Sequence, residues 1–316
     1  MEQDFMEFRN KVYNLYLEGK YSEALEIAEK AYARFKDEIS KTSYWLACLN
    51  SVLRKEDKAI EILTNSLNNG VWWSPKLLEG ERDLDPVRNR EEFKEILKKC
   101  SSIFREKQKE SKPERLVFYP DKFDRETKYP LFVALHWKGG NAEEFSKYWK
   151  FVLKRGYILL VPQSSQLNGT NAYCWDDWEK AKKEVISHII EIKERHNLIE
   201  DSIIIAGASQ GASIGIINFA LENTSPNIKR FIAVIPSIVD VSFLIPLLKN
   251  GIQKGVKGYI IAGEKDNFTK SIKDLYSEME KAGLQCKLTI VTGLGHDFPP
   301  NFDIYLDEAL DYVKVK

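Results

Sequence analysis

The stretch IIIAGASQGASIG (residues 203–215) decides the fold. Its first four residues are apolar without alternation, as in a strand buried on both faces. They run into a cluster of small residues where Ser209 lies between Gly207 and Gly211, in the spacing G-x-S-x-G. That spacing has a steric reason. A serine on a sharp strand-to-helix turn exposes its hydroxyl, and bulky residues two places before or after it would clash with the elements it joins. Taken alone, the stretch reads equally well as a packing turn.

Similar apolar runs recur along the second part of the chain: RLVFY (115–119), LFVALH (131–136), YILLVPQ (157–163), SIIIAG (202–207), FIAVIPS (231–237), GYIIAG (258–263) and KLTIVTG (287–293). Helical patterns lie between them at 178–196, 210–221 and 269–282. Apolar strands alternating with helices predict an α/β class with a mostly parallel sheet covered on both faces. Sites in such sheets sit at the carboxyl ends of the strands.

Three of those strand ends carry complementary chemistry. Ser209 follows SIIIAG, Asp266 follows GYIIAG, and His296 follows KLTIVTG. A hydroxyl, an imidazole and a carboxylate are what acyl transfer requires: Ser209 to attack, His296 to take and return the proton, Asp266 to orient the imidazole and stabilise its charged form. Rivals for the acid are Glu264, Asp297 and Asp240, the last placed after the preceding strand. The oxyanion hole needs two N–H donors. One is expected from Gln210, next to the nucleophile, and the other from the loop LHWKGGN (135–141).

On these residues, the region 111–316 resembles the α/β-hydrolase superfamily, in its phospholipase/carboxylesterase and dienelactone-hydrolase branch. LHWKGGNAEEF resembles that group's oxyanion loop, GASQGA its nucleophile elbow, GEKD its acid turn, GLGHDF its histidine turn, and CWDDWEKAKKEV the segment before the elbow helix. The resemblance implies an α/β-hydrolase fold and a serine carboxylesterase cleaving short- to medium-chain acyl esters through an acyl-enzyme. It implies a small-molecule ester substrate and no cofactor. Trp137 departs from the pattern, standing where the group usually has glycine; Gly139 and Gly140 are then expected to make the turn, and the second oxyanion donor is either Trp137 or Lys138. His136 is expected to shape this loop by hydrogen bonding and is placed with Trp175 and Trp178 on the substrate side, core anchoring being the alternative for the two tryptophans. Asp176 and Asp177 read as caps of the following helix. Other readings are an acyl thioesterase or phospholipase-type hydrolase, a peptidase of related fold, or a binding scaffold with an inactive hydrolase domain. Only residues 238–257 separate two of the strands, which leaves no room there for a large inserted lid.

The first 110 residues carry helical periodicity and almost no strand signal. Phe8, Val12, Leu15 and Tyr16 recur at helix spacing. EGKYSEALEIAEKAYARF (18–35) is echoed by RKEDKAIEILTNSL (54–67), with Ala59 about 35 residues after Ala24. That period resembles tetratricopeptide repeats and implies an all-α domain, 1–110, with a protein or peptide partner. Residues 78–100 resemble the closing helix of such an array, with DLDPVR (83–88) as its entry, and 101–114 read as a polar linker or a helix tail running into one.

Composition excludes several other classes. Lys+Arg and Asp+Glu both number 47, so no net positive field exists to attract nucleic acid. No apolar run approaches a membrane span. The opening MEQDFMEF lacks a signal-peptide pattern, and Cys48, Cys100, Cys174 and Cys286 have neither disulfide-framework nor zinc spacing. The expectation is a cytoplasmic protein with reduced thiols and no metal.

Overall fold

A computed structural model describes residues 5–314. The chain divides into two compact units: the first runs through Ser111 and also takes in Leu167–Ala172, and the second comprises Lys112–Gln166 and everything from Tyr173 onward.

The first unit contains α1 (Phe5–Leu17), α2 (Tyr21–Arg34), α3 (Ile39–Val52), α4 (Glu56–Asn68), α5 (Pro75–Gly80) and α6 (Glu91–Glu110). Helices α1 to α4 pack each on the next. Small residues make this close approach possible: Ala24, Ala28 and Ala31 of α2, Ala47 of α3 and Ala59 of α4 have no exposed surface. The two sequence echoes form the same turn. Gly19 (φ +72°) before α2 and Arg54 (φ +61°) before α4 both take the left-handed conformation. The next residue donates back in the same way at each, Lys20 N–H to Leu15 O and Lys55 N–H to Asn50 O.

The closing helix is α6, and its expected entry DLDPVR (83–88) lies in a short 3-10 turn (Arg82–Leu84) and the turns that follow. A short α5, capped by Ser74 Oγ accepting from Leu77 N–H at 3.2 Å, ends at Gly80, and turns through Pro86 lead to α6. Of the two alternatives for 101–114, residues 101–110 take the helix tail: they are the second half of α6, anchored upstream by buried Phe93, Ile96 and Cys100 on one face. The unit is completed by the excursion 167–172. Trp72 N–H donates to Thr170 Oγ1 at 2.8 Å, Thr170 N–H to Trp72 O at 2.9 Å, Ser74 N–H to Asn168 O at 3.0 Å, and Leu167 N–H to Gln108 Oε1 at 3.0 Å.

The second unit runs β1 (Glu114–Phe118), β2 (Leu131–Leu135), α7 (Ala142–Trp149), α8 (Phe151–Lys154), β3 (Ile158–Gln163), β4 (Gln166–Gly169), β5 (Ala172–Cys174), α9 (Trp178–Arg195), β6 (Ile204–Ala208), α10 (Gln210–Ile214), β7 (Arg230–Val234), α11 (Ile245–Lys254), β8 (Lys257–Gly263), α12 (Thr269–Ala282), β9 (Gln285–Val291) and α13 (Phe302–Val313). Three residues of β4 and one of β5 belong to the excursion and so to the first unit. Seven strands form one sheet in the order β1-β3-β2-β6-β7-β8-β9. All neighbours are parallel except β1, which pairs antiparallel with β3 at the edge. Every residue of β2, β3 and β6 is buried, as expected for strands covered on both faces. The sheet brings the carboxyl ends of β2, β6, β8 and β9 to one side; the triad and oxyanion candidates follow those ends, whereas Trp175 and Trp178 follow β5.

Candidate active site

Ser209 occupies the single residue between β6 and α10. Its backbone is at φ +52°, ψ −120°, a conformation that costs a non-glycine residue on the order of 1–3 kcal/mol and persists only when its surroundings enforce it. Here they do. Ser209 N–H donates to Val234 O of β7, and Ser213 N–H donates to Ser209 O, both at 3.0 Å. The two glycines are equally constrained. A Cβ on Gly211 would lie 2.2 Å from Leu135 O, and one on Gly207 would lie 2.7 Å from the same oxygen. Both are backbone contacts that cannot give way, so the elbow and the loop after β2 approach as closely as peptide groups allow.

The exposed hydroxyl meets the histidine turn. His296 Nε2 lies 2.8 Å from Ser209 Oγ, and His296 Nδ1 lies 2.8 Å from Asp266 Oδ2. The Asp266 side chain has no exposed surface, and its other oxygen accepts from Phe268 N–H at 3.0 Å. Gly263 lets the histidine turn cross the end of β8, because a Cβ there would lie 2.3 Å from Gly295 O. The rival acids are engaged elsewhere. Glu264 accepts from Gly293 N–H, Asp297 from Phe298 N–H, and Asp240 from the N–H and hydroxyl of Ser242, which lower its pKa. Serine, imidazole and carboxylate therefore stand in hydrogen-bonded sequence, and such a chain can move a proton from the serine to the histidine as the serine attacks.

The loop after β2 holds the other candidates. Gly139 (φ +80°) makes the turn and donates to Tyr173 O at 2.7 Å; Gly140 N–H donates to Trp137 O at 3.2 Å. Gly140 must lack a side chain, since a Cβ would meet the Trp137 indole at 2.6 Å. That indole is turned into an aromatic cluster, with ring centres 5.5 Å from Phe145, 5.4 Å from Tyr148 and 5.7 Å from Phe298. His136 is fully buried and stacks on Trp175 at 4.6 Å. Burial pushes its pKa down to about 4, so it is neutral near pH 7. Its Nδ1 lies 2.9 Å from Trp137 O, and Ser164 N–H points at its Nε2 at 3.4 Å, which suits a proton on Nδ1.

Trp175 is also fully buried, and its Nε1–H donates to His136 O at 2.8 Å. Of the three residues expected on the substrate side, only Trp178 presents appreciable surface, at 40% exposed, its ring 5.9 Å from Phe243. The two aspartates part company. Asp177 caps α9 through Lys180 N–H at 2.9 Å, whereas Asp176 accepts from Gln210 Nε2 at 2.8 Å and pairs with Lys138 Nζ at 3.0 Å, so it is not a cap. Sequence reasoning passed over Ser237, whose N–H points at Ser209 O at 3.4 Å, and Phe298, which stacks on Tyr148 at 4.1 Å. Phe298 lies two residues past His296, in an aromatic-rich segment that was the available signal. Among the described residues, no three His, Cys, Asp or Glu side chains group to hold a metal ion, and no helix is long and apolar enough to cross a membrane.

A family model described as "A/B hydrolase-like, N-terminal domain" matches residues 4–110. The helical unit is thus of a kind associated with α/β hydrolases, and this match does not bear on kinship to tetratricopeptide repeats. No curated protein matches the chain in sequence. Among solved structures, an uncharacterized protein from Bacillus cereus ATCC 10987 is similar over 99% of both chains, with 23% identity and a TM-score of 0.56. Esterase PE8 is similar over 63% of this chain and 100% of its own, at 17% identity and a TM-score of 0.52. With a parallel sheet in this order and an elbow serine after its central strand β6, the chain has the α/β-hydrolase fold.

Proposed function

We propose that the protein is a serine carboxylesterase in which Ser209, His296 and Asp266 form the catalytic triad. One observation carries the reading: the strained Ser209 holds its hydroxyl 2.8 Å from His296 Nε2, while Nδ1 faces the buried Asp266 carboxylate at 2.8 Å. In the reaction, Ser209 Oγ bonds to the ester carbonyl carbon and passes its proton to His296. The tetrahedral oxyanion rests on the Gln210 N–H and on a second N–H from Trp137 or Lys138. Collapse breaks the bond to the alkoxy oxygen, which leaves as the alcohol with the proton from His296. Water, deprotonated by the same imidazole, then releases the acid and restores Ser209.

An apolar surface supports carboxylic esters with an alkyl or acyl chain. Trp178 (40% exposed), Phe243 (42%) and Val239 (83%) expose large side chains close in sequence to the residues that hold the elbow, Asp176 and Ser237. Trp178 is the substrate contact among the sequence candidates. His136 and Trp175, being enclosed, act behind the oxyanion loop. A thioester or phospholipid ester would use the same steps with a different leaving group. All four cysteines are free thiols, which suits a reducing, cytoplasmic setting. The paired helical hairpins before β1 keep the tetratricopeptide-like reading open as a peptide-binding role.

The test is hydrolysis of p-nitrophenyl acetate, butyrate and decanoate together with labelling by a fluorophosphonate. Wild-type protein is expected to turn over the shorter esters and take the label on Ser209. Ser209→Ala should lose both, with turnover falling about 10⁴-fold or more. An unlabelled, inactive wild type would sink the reading.

A further inference from the structure

The segment Tyr173–Asp176 joins the two parts of the candidate oxyanion hole. On one side it holds the loop after β2: Gly139 N–H donates to Tyr173 O at 2.7 Å, Tyr173 N–H to Gly140 O at 3.0 Å, and Trp175 Nε1–H to His136 O at 2.8 Å. On the other side it holds the elbow: Trp175 N–H donates to Gln210 Oε1 at 2.9 Å. Asp176 closes the figure. Its Oδ1 accepts from Gln210 Nε2 at 2.8 Å, and its carboxylate pairs with Lys138 Nζ at 3.0 and 3.2 Å. One carboxylate thus ties together the side chains of residues 138 and 210, which come from the two segments whose backbone N–H groups are candidates to face the oxyanion.

The side-chain exposure is 20% for Asp176 and 39% for Lys138. An ion pair so placed adds little to global stability, while the charge-assisted bonds keep their direction. Stabilisation of an oxyanion depends steeply on donor placement, and it is felt in the transition state far more than in the bound ester.

We propose that Asp176 is a positioning residue of the oxyanion hole: by tying Lys138 to Gln210 it keeps the loop after β2 in register with the elbow, so that the donors of the two segments converge on one oxygen. The proposal rests on the esterase reading. The bonds from Asp176 run to Lys138 and Gln210, so on this proposal its loss leaves proton transfer by His296 in place.

The experiment measures kcat, KM, the pH profile and the melting temperature for full-length wild type, Asp176→Ala, Asp176→Asn, Lys138→Met and the double variant Asp176→Ala/Lys138→Met, with p-nitrophenyl butyrate. Outright removal of an oxyanion donor costs about 10²–10³ in kcat, so displacing one is expected to cost roughly 10–100-fold. Asp176→Ala should show that fall with KM and the histidine limb of the pH profile unmoved. Asp176→Asn keeps an acceptor for Gln210 and should fall between. Lys138→Met should add nothing once Asp176 is gone, because both act through one link. Losses that multiply in the double variant, a change in KM alone, or an Asp176→Ala enzyme as fast as wild type each overturn the proposal. Should Asp176→Ala fail to fold, Asp176→Asn and Lys138→Met decide by the same criteria. Wild type without Ser209-dependent turnover sinks the esterase reading and this role with it; an active wild type matched by its Asp176 variants sinks this role alone.

Discussion

Small residues serve opposite purposes in the two units. In the helical unit, Ala24, Ala28, Ala47 and Ala59 are small so that side chains of neighbouring helices can close over them. In the α/β unit, Gly207, Gly211 and Gly263 are small because another stretch of backbone already occupies the place of a Cβ. The first kind of constraint is graded, since side chains can shift and refill a gap. The second is nearly absolute, since a peptide carbonyl fixed in a sheet or elbow cannot move aside. In the helical unit the small residues admit side-chain packing, while around the candidate site of the α/β unit they admit backbone held in strained or crowded positions.

The strongest test of that contrast is Gly211→Ala. With Leu135 O only 2.2 Å from the new methyl group, we expect a loss of stability above about 4 kcal/mol, or a folded protein without esterase turnover. A variant that melts and turns over like wild type would break the comparison. In the helical unit, Leu63→Ala removes a fully buried side chain of α4 and should cost about 3 kcal/mol by denaturant titration. Its kcat, measured well below the transition, should not change; a large fall would show that packing of the helical unit also governs the chemistry.

A third test uses pH. His136 has its pKa lowered to about 4 by burial, against an ordinary value of 6.5. Between those values the unfolded chain takes up a proton that the folded chain refuses, so stability rises with pH across this window and falls on acidification. From pH 6.5 down to 5 this should remove about 2 kcal/mol. His136→Asn should melt with a shallower acid slope; some slope will persist because burial and Arg115 also hold the His188 pKa down. An unchanged slope would show that His136 is not the group responsible. The smallest effect is expected from Asp240→Asn. That carboxylate caps only Ser242, so kcat and its pH profile should match wild type, whereas Asp266→Asn should abolish turnover.

The inner strands were legible because strands covered on both faces must be continuously apolar, and 131–135, 158–163 and 204–208 are nearly so; the edge strands β1 and β9, only partly buried, showed as short apolar runs. β4 and β5 were not legible. Gln166, Asn168, Gly169 and Thr170 carry no apolar period, and the excursion is held by backbone and side-chain bonds to Trp72, Ser74 and Gln108, far away in sequence. The second half of α6 was legible only as one of two alternatives, since eight of residues 101–110 are polar or charged and the buried anchor lies upstream at Phe93, Ile96 and Cys100.

Local pattern alone determined where the serine, acid and histidine candidates lie. Each follows a strand, and the glycines around Ser209 record a backbone conformation that short-range sterics dictate. Tertiary structure alone decided which carboxylate meets His296, that the Trp137 ring turns into an aromatic cluster, and that Asp176 bonds to Lys138 and Gln210 instead of capping α9. These pairings join residues tens of positions apart. They depend on the order in which strands enter the sheet, and no periodicity within one element carries that information.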